Sequence, residues 1–128
     1  MRITTFKITY GGYLSHSYEL SKQDNILRYV EFNQFNEVNV FDISFTGAQW
    51  TDFVGNVISI IQHWKTEYLS DILDGTQWEV QVEADGTLYS IYGSNAWPPD
   101  YIKLAKLIRE ITGKDFAERF EDDLEVEY

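Results

Sequence analysis

The chain has 128 residues, 21 of them acidic and 10 basic, for a net charge of −11, and it contains no cysteine. That length predicts one domain with a core that holds without staples, and the missing thiols exclude disulfides, thiol catalysis and thiolate metal sites together. The acid excess argues against direct nucleic-acid binding, which needs Lys and Arg clustered against phosphates.

Four Trp, nine Tyr and eight Phe predict a ring-rich core. The opening MRITTFKITY lacks the apolar stretch of a secretion signal, and the longest apolar run, Val57 to Ile61, is broken by Ser59 and far too short to span a bilayer. A cytoplasmic protein with no membrane contact is the expectation.

Phe6, Ile8 and Tyr10 alternate with polar residues, and Leu14, Tyr18 and Leu20 do so after Gly11-Gly12. A two-residue Gly-Gly loop would set these groups on opposite faces. A three-residue loop, Gly11-Gly12-Tyr13, pairs Tyr10 with Leu14, Ile8 with His16 and Phe6 with Tyr18, so the apolar faces coincide and this hairpin is expected. Ser21 to Asn25 reads as a polar turn, Ile26 to Phe35 as a β-prone stretch, and Asn36-Glu37 as the next turn. Phe41, Ile43 and Phe45 alternate in a fourth strand. Thr46 with Gln49 then fits a capping box, and Phe45 with Trp50 a hydrophobic staple around the same cap. Trp50, Phe53, Val54, Val57, Ile58, Ile61 and Trp64 form the apolar stripe of the helix that follows. Tyr68 to Gly75 reads as a connector.

From Trp78 the alternation is strict: Trp78, Val80, Val82 and Ala84 on one face, Gln77, Glu79, Gln81 and Glu83 on the other. Asp85-Gly86 predicts a type I′ turn, which fixes the register. Ala84 faces Thr87, Val82 faces Tyr89, Val80 faces Ile91, and Trp78 faces Gly93, whose missing side chain leaves room for the indole. Glu79 with Tyr92 and Glu83 with Leu88 pair on the outer face. Gly93 to Pro99 turns the chain, Tyr101, Leu104, Ala105, Ile108 and Ile111 recur at helical spacing, and Gly113 reads as the stop. The predicted class is α+β: a two-layer sandwich of about six mainly antiparallel strands, in the order β-β-β-β-α-β-β-α, with both helices on one face. Residues 1–114 form the domain. Residues 115–128 form an acidic tail with seven acids and one base.

Trp64-Lys65, Tyr68, Asp74-Gly75 with Trp78, and Gly93-Ser94-Asn95-Ala96 before Pro98 resemble a family of small uncharacterised bacterial proteins with a D-G-x-x-W strand, a hairpin, and a G-S-N-A-x-P loop before a closing helix. The resemblance covers roughly the C-terminal half, short of the last dozen or so residues, and implies no activity.

No catalytic constellation emerges. His16 and His63 lie far apart, without metal-ligand spacing, and both read as structural. Asp71 with Asp74 reads as turn capping and Asp122 with Asp123 as solvated, so neither pair is taken as a metal site. The Gly93–Ala96 run has too few glycines and no following lysine for a phosphate loop, and does not match G-x-S-x-G; strand-to-helix geometry explains it. Trp97, beside two prolines, reads either as an interface anchor or as packing under the helix. The expected function is therefore a non-enzymatic, cofactor-free binding protein. It would inhibit a basic, nucleic-acid-handling protein, in the manner of immunity or phage anti-defence proteins, by occupying its basic surface. The candidate contact residues are Trp97, Asn95, Tyr92 and Leu88, with Glu121, Asp122, Asp123, Glu125 and Glu127 of the tail. The alternative is a small-molecule or nucleotide sensor, with a pocket near Trp97, Asn95 and Tyr101.

Overall fold

A computed structural model describes residues 2–12, 16–33, 36–70 and 76–113. The elements run β1 (Ile3–Gly12), β2 (His16–Gln23), β3 (Ile26–Asn33), β4 (Asn36–Ser44), α1 (Gly47–Ile61), β5 (Glu67–Leu69), β6 (Thr76–Ala84), β7 (Thr87–Ser94) and α2 (Tyr101–Thr112). The class is α+β, with seven strands in one sheet ordered β4-β3-β2-β1-β6-β7-β5. All neighbours are antiparallel except β5 and β7.

The two strand groups of the sequence join through β1 and β6, where Phe6 meets Val82, Ile8 meets Val80 and Tyr10 meets Trp78. This is the register that alternation demands, because each pair is apolar on the same side. Phe6, Ile8, Tyr10, Tyr18, Leu20, Leu27, Tyr29, Trp78, Val80, Val82 and Ile91 from the sheet share one core with Trp50, Phe53, Val54, Val57 and Ile61 of α1 and Tyr101, Leu104, Ala105 and Ile108 of α2. Both helices therefore cover the same face. Fully burying a side chain the size of Leu104 or Ile108 stabilises by about 1.5–3 kcal/mol, so two turns of α2 suffice to fix it on the sheet.

The local signals around α1 hold in detail. The Thr46 hydroxyl accepts from the Gln49 N–H at 3.1 Å and the Gln49 side chain accepts from the Thr46 N–H at 2.8 Å. Phe45 stacks on Trp50 at 4.8 Å across the cap. Helix α1 ends at Ile61, so Trp64 reaches the core from the turn beyond it. The β6–β7 hairpin has the predicted register at every position, from Ala84–Thr87 to Trp78–Gly93. Its turn residues Asp85 and Gly86 take φ 50° and 84°, the positive values of a type I′ turn. At the end of α2, the Gly113 N–H donates to the Arg109 carbonyl.

Three expectations are corrected. In the first hairpin Ile8 pairs with Leu20 and Tyr10 with Tyr18, four residues away from the expected register. A shift by an even number keeps every side chain on its face, so alternation alone could not separate the two pairings; Gly11 joins the ladder opposite Ser17 instead of the loop. Residues 13–15, including Leu14, lie outside the described residues, as do residues 71–75 and the tail from 114. Asn36 and Glu37 belong to β4 rather than to a turn, because Asn33 pairs with Asn36. The stretch from Tyr68 is not only connector: Glu67–Leu69 adds a three-residue parallel edge strand on β7.

Candidate functional site

The far face of the sheet carries the exposed chemistry. Its rows follow from the registers. One runs Val40, Val30, Glu19, Thr9, Glu79, Tyr92, Glu67 across all seven strands. The next runs Asp42, Arg28, Ser21, Lys7, Gln81, Ser90. In these two rows the charges of the β4–β1 half pair off. Lys7 meets Glu19 at 3.2 Å, and Arg28 meets Asp42 through two bonds of 2.8 and 3.2 Å. The Arg28 hydrogen bond holds the Asp42 carboxyl below its ordinary value.

On the β6–β7–β5 half the charges do not cancel. Glu79 and Glu67 flank Tyr92 in one row, and Glu83 stands opposite Leu88 four residues further along β6. None of the three glutamates has a cationic partner among the described residues; Glu83 accepts a hydrogen bond from the Thr4 hydroxyl. Leu69 and Leu88, at opposite ends of this surface, are 60% and 59% exposed. Six residues along β7 separate their rows, about 20 Å at 3.3 Å per residue, and three strands span roughly 10 Å. That footprint is smaller than a whole interface side of about 800 Å². Sequence reasoning placed Tyr92 and Leu88 here. It missed Glu67 and Leu69, because a three-residue strand is too short to show alternation.

Asn95 and Trp97 belong to a different feature. Asn95 adopts φ 55°. Its side-chain oxygen accepts from the Thr76 N–H at 2.8 Å while its own N–H donates to the Thr76 carbonyl at 2.9 Å. Trp97 is half-buried against the core, edge-on to Tyr101 at 6.4 Å. The Trp78 indole N–H donates to the Ala96 carbonyl at 2.9 Å. Trp64, Tyr68 and Tyr101 enclose that indole at 5.9, 6.0 and 4.8 Å. The Tyr68 hydroxyl in turn accepts from the Lys65 N–H at 2.9 Å. Trp64, Tyr68, Gly93 and Ala96 thus all pack on or bond the Trp78 side chain, while Asp74 and Gly75 lie outside the described residues. Burial pushes the Tyr101 phenol well above its ordinary pKa, with the Trp97 indole beside it pulling the other way.

Around Tyr101, where the alternative reading placed a nucleotide pocket, Trp64, Trp78 and Trp97 pack at 6.0, 4.8 and 6.4 Å. A concave surface does exist between the helices. It is a hollow of 310 Å³ with Phe45, Phe53, Leu107 and Ile111 among its walls and the carboxylates of Asp52 and Glu110 at its rim. It has no basic lining residue, and such a rim repels phosphates. Glu121, Asp122, Asp123, Glu125 and Glu127 lie outside the described residues. His63 is exposed in the turn after α1. No helix among the described residues is long and apolar enough to cross a membrane. No protein-family model matches the chain, and no curated protein matches it.

Proposed function

We propose that the protein is a non-enzymatic, cytoplasmic binding protein that inhibits a basic, nucleic-acid-handling protein. Its instrument is the outer face of β6, β7 and β5. The observation that carries this reading is the set of three glutamates, Glu67, Glu79 and Glu83, without cationic partners among the described residues, around Tyr92 and between two exposed leucines. Carboxylates at this spacing match the Lys and Arg that a nucleic-acid-binding surface must cluster. Tyr92, Leu69 and Leu88 add apolar burial that a phosphate backbone does not offer, which converts electrostatic encounter into residence. The acidic residues from Glu121 to Glu127 extend the same charge and speed association. An inhibitor of immunity or phage anti-defence type acts in this way.

The test is affinity capture of the tagged full chain from lysate of its natural host, washed at low and high salt, beside a Glu79→Gln, Glu83→Gln, Tyr92→Ala variant. The expected result is one dominant basic protein, released by salt and lost with the variant. Capture that ignores salt, or that survives the three substitutions, refutes the reading. A chain cut after Phe120 that captures equally well confines the acidic end to solubility.

A further inference from the structure

Helices α1 and α2 are packed shut at one end and open at the other. Trp64, just past the end of α1, stacks at 6.0 Å on Tyr101, the first residue of α2. The start of α1 lies beside the end of α2, and there the hollow of 310 Å³ opens, bounded by the last residues of β4 and by both helices. Its apolar walls are the margin of the core. Phe53 is buried, and Phe45, Leu107 and Ile111 are half-buried against the core cluster. Asp52 of α1 and Glu110 of α2 are exposed at the rim. Neither has a cationic partner among the described residues, and Lys106, one turn before Glu110, forms no ion pair with it.

We propose that this hollow binds a small organic cation, an ammonium group carried on a ring or a short alkyl body. Its volume lies at the lower end of the roughly 300–1,000 Å³ of small-molecule sites. The walls take the apolar body, which removes Leu107 and Ile111 from water. The rings of Phe45 and Phe53 attract a cation through their quadrupoles. Two carboxylates without cationic partners, one on each helix of a concave surface, focus a negative potential at its mouth. An ammonium is therefore favoured there over a hydroxyl, and a hydroxyl over a carboxylate. The chain's own tail does not suit the site, since residues 115–128 carry seven acids to one base and the same rim repels them. Nor does a partner helix. Its anchors run from i to i+7, about 10 Å at 1.5 Å per residue, whereas the α2 wall, residues 107–111, is only about 6 Å long by the same measure. The hollow lies on the helical side of the sheet, away from Glu67, Glu79 and Glu83, and is independent of the surface proposed to bind a protein.

Amide-resolved NMR titration of the full chain tests this with three probes that share one apolar body and differ in charge: 2-phenylethylammonium, 2-phenylethanol and 3-phenylpropanoate. Saturable binding of roughly millimolar strength is expected for the ammonium, with the shifted amides at residues 49–56 and 107–111. The alcohol binds several-fold more weakly, and the carboxylate more weakly still. Asp52→Asn together with Glu110→Gln lowers the affinity for the ammonium by about tenfold, as two exposed ion pairs predict, and leaves that for the alcohol unchanged. Both positions are exposed and both substitutions keep the shape of the side chain, so the fold is retained. Glu79→Gln with Glu83→Gln, on the far face of the sheet, changes neither affinity. Absence of a saturable shift at those amides overturns the proposal. So does equal affinity for the three probes, an affinity for the ammonium that the Asp52 and Glu110 substitutions leave unchanged, or shifts centred on Glu67, Glu79 and Glu83 instead. None of these outcomes depends on a protein partner.

Discussion

Replacing Gly93 by Ala tests the tightest contact in the structure. A Cβ at this position falls 2.1 Å from Cε2 and Nε1 of Trp78 and 2.5 Å from Cζ2. The indole has nowhere to go. It is 1% exposed, it donates to the Ala96 carbonyl, and Trp64, Tyr68 and Tyr101 enclose it. Overpacking a rigid core costs about 1–3 kcal/mol, and displacing the ring strains a buried hydrogen bond worth roughly 1 kcal/mol more. A loss of about 3 kcal/mol is a large share of the 6–19 kcal/mol typical of roughly this length, and it lowers the melting temperature by roughly 10 °C. Urea unfolding followed by tryptophan fluorescence measures it. Trp78→Phe removes Nε1 and Cζ2, so Gly93→Ala must cost less in that background, with a coupling above about 1 kcal/mol. A single-mutant cost below about 1 kcal/mol, or strictly additive effects, refutes the claim that Gly93 is there for the indole.

Thr46→Ala removes one half of the capping box and should cost about 1 kcal/mol in urea unfolding, with Gln49→Ala adding less once Thr46 is gone because the two bonds act together. The Tyr101 phenol is held neutral when folded, so its pKa lies above the unfolded value near 10. Below that pH both states keep the proton and nothing changes. Above it the unfolded chain loses the proton first, and stability falls as pH rises toward the folded pKa. Tyr101→Phe should therefore flatten the alkaline limb of a stability–pH curve and leave the neutral-to-acid limb unchanged in shape; an identical alkaline slope counts against the assignment.

How much was legible differs by element, for physical reasons. The β6–β7 hairpin was readable to the residue because three local signals agree: strict alternation, a turn dipeptide that tolerates positive φ at both positions, and a glycine opposite a tryptophan. The start of α1 was readable for the same reason, since Thr46, Gln49, Phe45 and Trp50 each speak for one boundary. The β1–β2 register was not, because faces recur every two residues and the true and expected pairings differ by four. β5 was invisible, since a three-residue edge strand draws its stability from β7 rather than from its own sequence. For the site, Tyr92 and Leu88 were read correctly as outward-facing from the hairpin register. The paired charges on one half of that face and the unpaired acids on the other were not visible, because they depend on the registers of β1 with β2 and of β3 with β4, which set Lys7 diagonal to Glu19 and Arg28 opposite Asp42.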